Sequence, residues 1–236
     1  MRLFYDPDIS GEFHVLKQEE SHHCTKVLRL KQGDEVFIAD GAGKLYQCEI
    51  LEIHQKKTLL KVNDVREGDD KRNYRLHIAI APTKSNDRTE WFVEKSTEIG
   101  IDDITPIICK NSERKVIKND RLNRVAESAM KQSYKSYHPI INEQVNFDKF
   151  IMQGFGEVQK FIAHCEEHDD KIYLGNLLKK EGSYLILIGP EGDFNADEIQ
   201  MAKDAGFIPV SLGRSRLRTE TAGVVASDIV SIISQI

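Results

Sequence analysis

The chain has 236 residues, 40% of them hydrophobic and 30% charged, with a formal net charge of −5 at pH 7. That length and balance suit one large or two modest folded domains and exclude collagen-like, disordered and membrane-embedded classes. The opening residues carry Asp6 and Asp8, and the most apolar stretch, 224–236, is interrupted by Asp228. Neither a signal peptide nor a membrane span is therefore expected, and the reading is cytoplasmic. Cys24, Cys48, Cys109 and Cys165 are scattered without a C-x-x-C pair and read as reduced, mostly buried thiols.

Residues 3–65 predict short strands. Residues 36–39 end at the Asp40-Gly41-Ala42-Gly43 turn, 45–53 alternate with period two, and 58–62 follow a polar turn, with one helix-like insertion near 21–29. The expectation is a small β-barrel over 1–70. Residues 65–73 are polar and aperiodic, as a linker would be. From 73 to 236 strands alternate with helices: strands at 74–81, 104–109, 158–163, 184–188 and 207–210, and helices at 87–99, 121–133 and 196–205. A last helix carries Val225, Ile229, Ile232, Ile233 and Ile236 at helical spacing. This alternation predicts a mostly parallel α/β sheet, with ligands beyond the carboxyl ends of its strands. Trp91 falls inside a predicted helix and is expected in the core.

Charge is unevenly spread: the net value is −4 over 1–70, +5 over 71–140 and −6 over 141–236. The basic middle contains Lys110, Arg114, Lys115, Lys118, Arg121, Arg124, Lys131 and Lys135, with Tyr134 and Tyr137 interleaved. A solvated helix face and a phosphate-binding patch are equally compatible with that run.

Two strand exits carry candidate chemistry. The first, Ile188, Gly189, Pro190, Glu191 and Gly192, leads to an Asn195/Glu198 pair with capping-box spacing. It has no phosphate-loop signature, and its carboxylates favour an uncharged or cationic ligand. Taken alone, a plain turn is the simpler account. The second runs from Ser211, Leu212 and Gly213 through Arg214, Arg216, Leu217 and Arg218 to Thr219-Glu220-Thr221, where either threonine is placed to cap the last helix. If the two strands are neighbours, the exits join in one site. His164 and His168 superficially offer metal ligands but lack a partner cluster.

These residues reach a known pattern. Glu94-Lys-Ser-Thr-Glu-Ile-Gly100 followed by Ile104-Thr-Pro106, Gln132-Ser133 with Pro139, Leu187-Ile-Gly-Pro-Glu-Gly192, and Ser211-Leu-Gly213 with Leu217-Arg-Thr-Glu-Thr-Ala222 occur in this order. Together with Arg2-Leu-Phe4, His22-His23, Val27-Leu-Arg29 and Gly33-Asp34, they make nearly the whole chain resemble the RsmE-type 16S ribosomal RNA uridine-N3 methyltransferases. The chain departs from that pattern in having Lys131, where an acidic residue is usual, and in the basic Arg214-Ser215-Arg216.

The resemblance implies a PUA-like RNA-binding barrel over 1–70 and, over 73–236, a SPOUT-type parallel sheet with a C-terminal trefoil knot. It further implies S-adenosylmethionine as donor, 16S ribosomal RNA of the small subunit as substrate, and a homodimer. Carried onto this chain, it assigns Ile188, Gly189, Pro190, Glu191, Gly192, Ser211, Leu212, Gly213 and Leu217 to the cofactor. Arg218 and Glu220 become catalytic candidates, and Arg2, His23, Arg29, Lys84, Arg88, Arg114 and Gln132 candidates for RNA contact. Two other classes remain open on residues alone: a catalytically silent RNA-binding module and a metal-dependent hydrolase built on His164 and His168.

Overall fold

A computed structural model describes residues 2–54, 56–165 and 171–235. The chain divides into two compact units, one of residues 1–71 with 127–138, the other of 72–126 with 139–236.

The first unit contains β1 (Leu3–Tyr5), β2 (Phe13–Leu16), α1 (Gln18–His22) running into a π-helical turn at His23–Val27, β3 (Glu35–Ala39), β4 (Lys44–Ile53) and β5 (Thr58–Glu67). Its sheet has the order β1-β3-β4-β5-β2, with only the β1/β3 pair parallel. Period-two alternation sends Val36, Ile38, Cys48, Ile50 and Leu60 inward onto Phe4, Leu16, Cys24 and Leu30. Register shifts at Gln47/Cys48 and Ile50/Glu52 add local bend and twist to the β4/β5 pair. The β3–β4 turn uses Gly41 and Gly43 at φ 77° and 109°, and Asp40 Oδ1 accepts from the N–H groups of Ala42 and Lys44.

Strand β5 is longer than its apolar run predicts. Val65, Arg66 and Glu67 pair with Tyr46, Leu45 and Lys44, so the first part of the expected linker is strand. These residues are exposed, Val65 included; the backbone ladder, not burial, holds them. Residues 127–138 join this unit through long-range bonds: His138 N–H donates to Gly41 O (2.9 Å), Gly43 N–H to Ser136 O (3.2 Å), and Lys131 Nζ bridges Glu20 (2.6 Å) and Glu127 (2.9 Å).

The second unit follows as β6 (Arg75–Ile80), α2 (Asn86–Ile99), β7 (Asp103–Ile108), α3 (Asn119–Gln132), β8 (Ile140–Ile141), β9 (Val145–Asn146), α4 (Phe147–Ile151), β10 (Gln159–Ala163), β11 (Ile172–Tyr173), a 3-10 turn at Leu174–Asn176, β12 (Ser183–Ile188), α5 (Ala196–Asp204), β13 (Ile208–Ser211) and α6 (Thr219–Gln235). The closing residues of α3 belong to the first unit. All sheet pairings here are parallel, in the order β11-β13-β10-β12-β6-β7-β8, with β9 also on β7. The architecture is thus α/β, as expected.

Both sheet faces are buried, which is why the strands read as continuous apolar runs. Leu76, Ile78, Ile80, Ile186 and Ile188 pack on Phe92 and Val93 of α2 and Ala226, Ile229 and Val230 of α6. Ala79, Leu185, Leu187 and Ile162 face Phe147, Phe150 and Ile151 of α4 and Ile199 and Ala202 of α5. Gly223 lets α6 approach α2 closely, since an added Cβ would meet the Phe92 ring at 2.5 Å.

Trp91 corrects the expectation of a core position: it is 40% exposed, because the inward face of α2 is set by Phe92, Val93, Ser96 and Thr97. Cys24, Cys48 and Cys109 are buried and free, whereas Cys165 is exposed. Burial pushes the thiols of Cys24 and Cys48 up to about 11 and about 12, and that of Cys109 up as well. Among the described residues, no helix is long and apolar enough to cross a membrane.

Candidate active site

Strands β12 and β13 are not neighbours; they flank β10 on its two sides. Their exits nevertheless meet, because the chain leaves β12 through α5 and returns on the far side of β10. This opens a crevice over the carboxyl end of the middle strand. The crevice holds two adjoining cavities of about 380 and 310 Å³, which share Ala163, Cys165, Arg216, Leu217 and Ala222. The larger one also reaches Ser211, Leu212 and Gly213, and the smaller one Ile188, Gly189, Pro190 and Glu191.

The first loop is fixed from three sides. Asp193 stands at φ 62° with its N–H donating to Pro190 O (2.9 Å). Its carboxylate accepts from the N–H groups of Cys165 (2.6 Å) and Phe194 (2.9 Å), tying the exit of β10 to that of β12. Asn111 Nδ2 donates to the carbonyls of Gly192 and Asp193, both at 3.1 Å. Glu191 Oε1 accepts from Lys84 N–H (2.9 Å), so this carboxylate is occupied by backbone from the β6 exit. The predicted capping box is present in both directions, Asn195 with Glu198, and Glu198 also accepts from Lys110 N–H at 2.8 Å.

The second loop is held by fewer bonds. Ser211 Oγ donates to Gly213 O (2.9 Å) and accepts from its N–H (3.1 Å), while Gly213 adopts φ 134°, a conformation strained for any side chain. Arg214, Arg216 and Arg218 are exposed, and among the described residues none has an ion-pair partner. Arg218 holds the cap position of α6: its carbonyl accepts from Ala222 N–H at 2.8 Å, so Thr219 lies inside the helix and neither threonine is the cap residue expected. Glu220 is 6% exposed; Oε1 lies 3.8 Å from Arg88 Nε, and Oε2 has no hydrogen-bond partner among the described residues. The structure therefore pairs Glu220 with a cation from α2, not with its sequence neighbour.

The RNA candidates fall in both units. In the first, Arg2 lies 3.6 Å from Asp34, His23 Nδ1 lies 3.7 Å from Glu20, Arg29 is exposed at φ 54°, and Gln132 is exposed at the end of α3. In the second, Lys84 pairs with Glu113 (2.8 Å), Arg88 with Glu220, and Arg114 Nε donates to the carbonyls of Thr83 (3.0 Å) and Lys84 (3.1 Å). Arg114 and Lys84 are thus structural props of the loop beside Glu191 as well as cations. His164 is buried and His168 lies outside the described residues; among those described, no cluster of three metal-ligating side chains occurs.

Residues 70–231 match the model of the RNA methyltransferase domain, and 16–62 that of the RNA methyltransferase PUA domain. The chain is 31% identical over 234 residues to the ribosomal RNA small subunit methyltransferase E of Buchnera aphidicola, covering 95% of this chain and 90% of that one. The chain belongs to this methyltransferase family. Among solved structures, it resembles a probable rRNA-methyltransferase from Porphyromonas gingivalis at 39% identity and TM-score 0.92, over 100% of this chain and 99% of that one. The Neisseria gonorrhoeae ribosomal RNA small subunit methyltransferase E, solved bound to S-adenosyl methionine, is 25% identical with TM-score 0.86, over 96% and 95% of the two chains.

The crevice fits that cofactor. It offers apolar walls at Ala163, Leu212, Leu217 and Ala222, backbone polar groups at two glycine-bearing loops, and room for an adenosine with an amino-acid tail.

Proposed function

We propose that this protein is an S-adenosylmethionine-dependent methyltransferase acting on N3 of a specific uridine in 16S ribosomal RNA of the small subunit. The observation that carries the reading is the junction of the 188–192 and 211–217 loops in one crevice over β10. Ile188, Gly189, Pro190, Glu191, Gly192, Ser211, Leu212, Gly213 and Leu217 would hold the cofactor through backbone groups and apolar contact. When bound, it supplies an electrophilic methyl group.

N3 of uridine is a Watson–Crick donor, so the base must be unpaired and unstacked before it can react, at a cost of a few kcal/mol that protein contacts offset. N3 must also lose its proton. Arg218, exposed at the smaller cavity and without an ion-pair partner among the described residues, would stabilise the uridine anion as it develops. Glu220, buried beside Arg88 with one oxygen unsatisfied, is the candidate for orientation or proton transfer. Arg2, His23, Arg29, Lys84, Arg88, Arg114 and Gln132 would contribute RNA contacts, the N-terminal unit acting as a PUA-like RNA-binding domain.

The same reading makes the C-terminal segment a trefoil knot, the protein cytoplasmic, and the working form a homodimer. Trp91 on α2 and Ile232 on α6, 40% and 47% exposed, are apolar surface that a second copy would cover. Mapping methylated nucleotides in ribosomal RNA from cells lacking the protein tests the activity: loss of one N3-methyluridine supports it, and an unchanged modification pattern overturns it. Light scattering tests the dimer.

A further inference from the structure

Apart from the cofactor crevice, the second unit holds another cavity, of about 300 Å³. It lies under the connector between β7 and α3, where residues 113–118 have no regular secondary structure. This strap is nonetheless fixed. Ile117 N–H donates to Gln144 Oε1 (2.9 Å), Gln144 Nε2 donates to Lys115 O (3.1 Å), and Arg114 is tied to the carbonyls of Thr83 and Lys84.

The lining combines two chemistries. Ile117 and Leu122 give an apolar wall continuous with the main core, and Val116 is left 71% exposed between Lys115 and Lys118. Arg114, Lys118 and Arg121 bring positive charge, of which Arg121 is neutralised by Glu90 at 2.5 Å while Lys118 has no ion-pair partner among the described residues. Asn86, at the start of α2, adds an amide able to donate and accept. A bare anion would have no use for the apolar wall, and an apolar ligand none for the cations. A nucleotide uses both: its base faces prefer apolar contact, its edge an amide, and its phosphate a cation.

We propose that this cavity is a subsite for one unstacked nucleotide of the RNA substrate, flanking the target and distinct from it. The base packs against Val116 and Ile117, and the phosphate is held by Lys118 and Arg114. The inference rests on the RNA methyltransferase reading. It gains from one physical link: Arg114 holds the Lys84 carbonyl, and the Lys84 N–H holds Glu191, so a wall of the subsite and the first cofactor loop are joined through one residue.

The test uses the full chain with Val116→Asp and Lys118→Ala, both at exposed side chains, so thermal unfolding should match the wild type. Three quantities are read: binding of a 16S ribosomal RNA transcript across a salt series, methyl transfer to it, and calorimetric binding of S-adenosylhomocysteine. The subsite predicts that V116D weakens RNA binding about tenfold, and that K118A weakens it about threefold and lowers the slope of log affinity against log salt by about 0.7. Affinity for S-adenosylhomocysteine stays at the wild-type value. Wild-type RNA affinity and salt slope in both variants, with methyl transfer intact, overturn the subsite and leave the enzyme reading standing. A wild-type chain that binds no S-adenosylhomocysteine and methylates no RNA overturns the parent reading, and the subsite with it.

Discussion

The second unit carries cavities of similar size at the two ends of its parallel sheet. At the carboxyl ends lies the crevice between the β12 and β13 exits, about 380 and 310 Å³; at the amino ends lies one of about 290 Å³ lined by Arg75, His77, Asp103, Glu157 and Ser183. Volume does not tell them apart; the state of the polar groups does. At the amino ends Arg75 makes a two-pronged contact with Asp103 (3.2 and 3.0 Å), and His77 Nε2 is bonded to Thr105 Oγ1 (2.7 Å), which also accepts from Asn142 (3.0 Å). At the carboxyl ends the carboxylates of Asp193 and Glu191 are spent on backbone N–H groups that shape the loops, while Arg214, Arg216 and Arg218 have no ion-pair partner among the described residues. Apart from the exposed Glu157, the charges at the amino ends are closed on one another, whereas the carboxyl ends are open and lie where parallel sheets bind ligands.

The largest expected contrast comes from removing one cation at each end. R218A should lower methyl transfer on the order of 100-fold with little change in cofactor affinity, because it removes stabilisation of charge that develops only in the reaction. R75A, which takes an exposed guanidinium away from the buried Asp103 carboxylate, should leave transfer intact and cost about 1–3 kcal/mol of stability by denaturant titration. Equal effects would erase the distinction between the two ends.

A smaller effect sharpens the role of Asp193. D193A removes a charged acceptor from two N–H groups and puts alanine at φ 62°, costing about 1–2 kcal/mol and weakening S-adenosylhomocysteine binding. D193N, which keeps one acceptor and tolerates that backbone, should recover part of both losses. Recovery of stability without recovery of binding would show that the loop does not shape the site.

The smallest effect is a pH dependence at the closed end. Burial pushes the His77 imidazole below its ordinary value of 6.5, the positive charge of Arg75 lowers it further, and Asp103 partly opposes this. Between the lowered folded value and 6.5 the unfolded chain binds more protons than the folded one, so stability falls as pH drops through this window. H77Q should flatten that part of the curve in denaturant titrations from about pH 5.5 to 7.5; parallel curves for variant and wild type would contradict it.

The strand exits were legible in the sequence because apolar runs such as 184–188 end abruptly at glycine, and the capping box at Asn195/Glu198 is a purely local pattern. What escaped depends on distant residues. Nothing near Glu220 in the chain announces Arg88, more than a hundred residues away, and nothing near Cys165 announces Asp193. The order placing β10 between β12 and β13 is likewise set by packing of two sheet faces, which periodicity within one strand does not encode. Trp91 misled because residue type alone favours burial, whereas the helix phase is fixed by Phe92 and Val93. Lys131 departs from the family pattern, yet two carboxylates, Glu20 and Glu127, receive it.

The central claim is that the two loops over β10 form one site for the methyl donor. Titration calorimetry with S-adenosylhomocysteine tests it on the wild type, on G213V, which forces a side chain onto a backbone at φ 134°, and on R75A. The account predicts saturable binding to the wild type and to R75A and its loss in G213V with the fold retained. Absence of binding to the wild type, or undiminished binding to folded G213V, would contradict it.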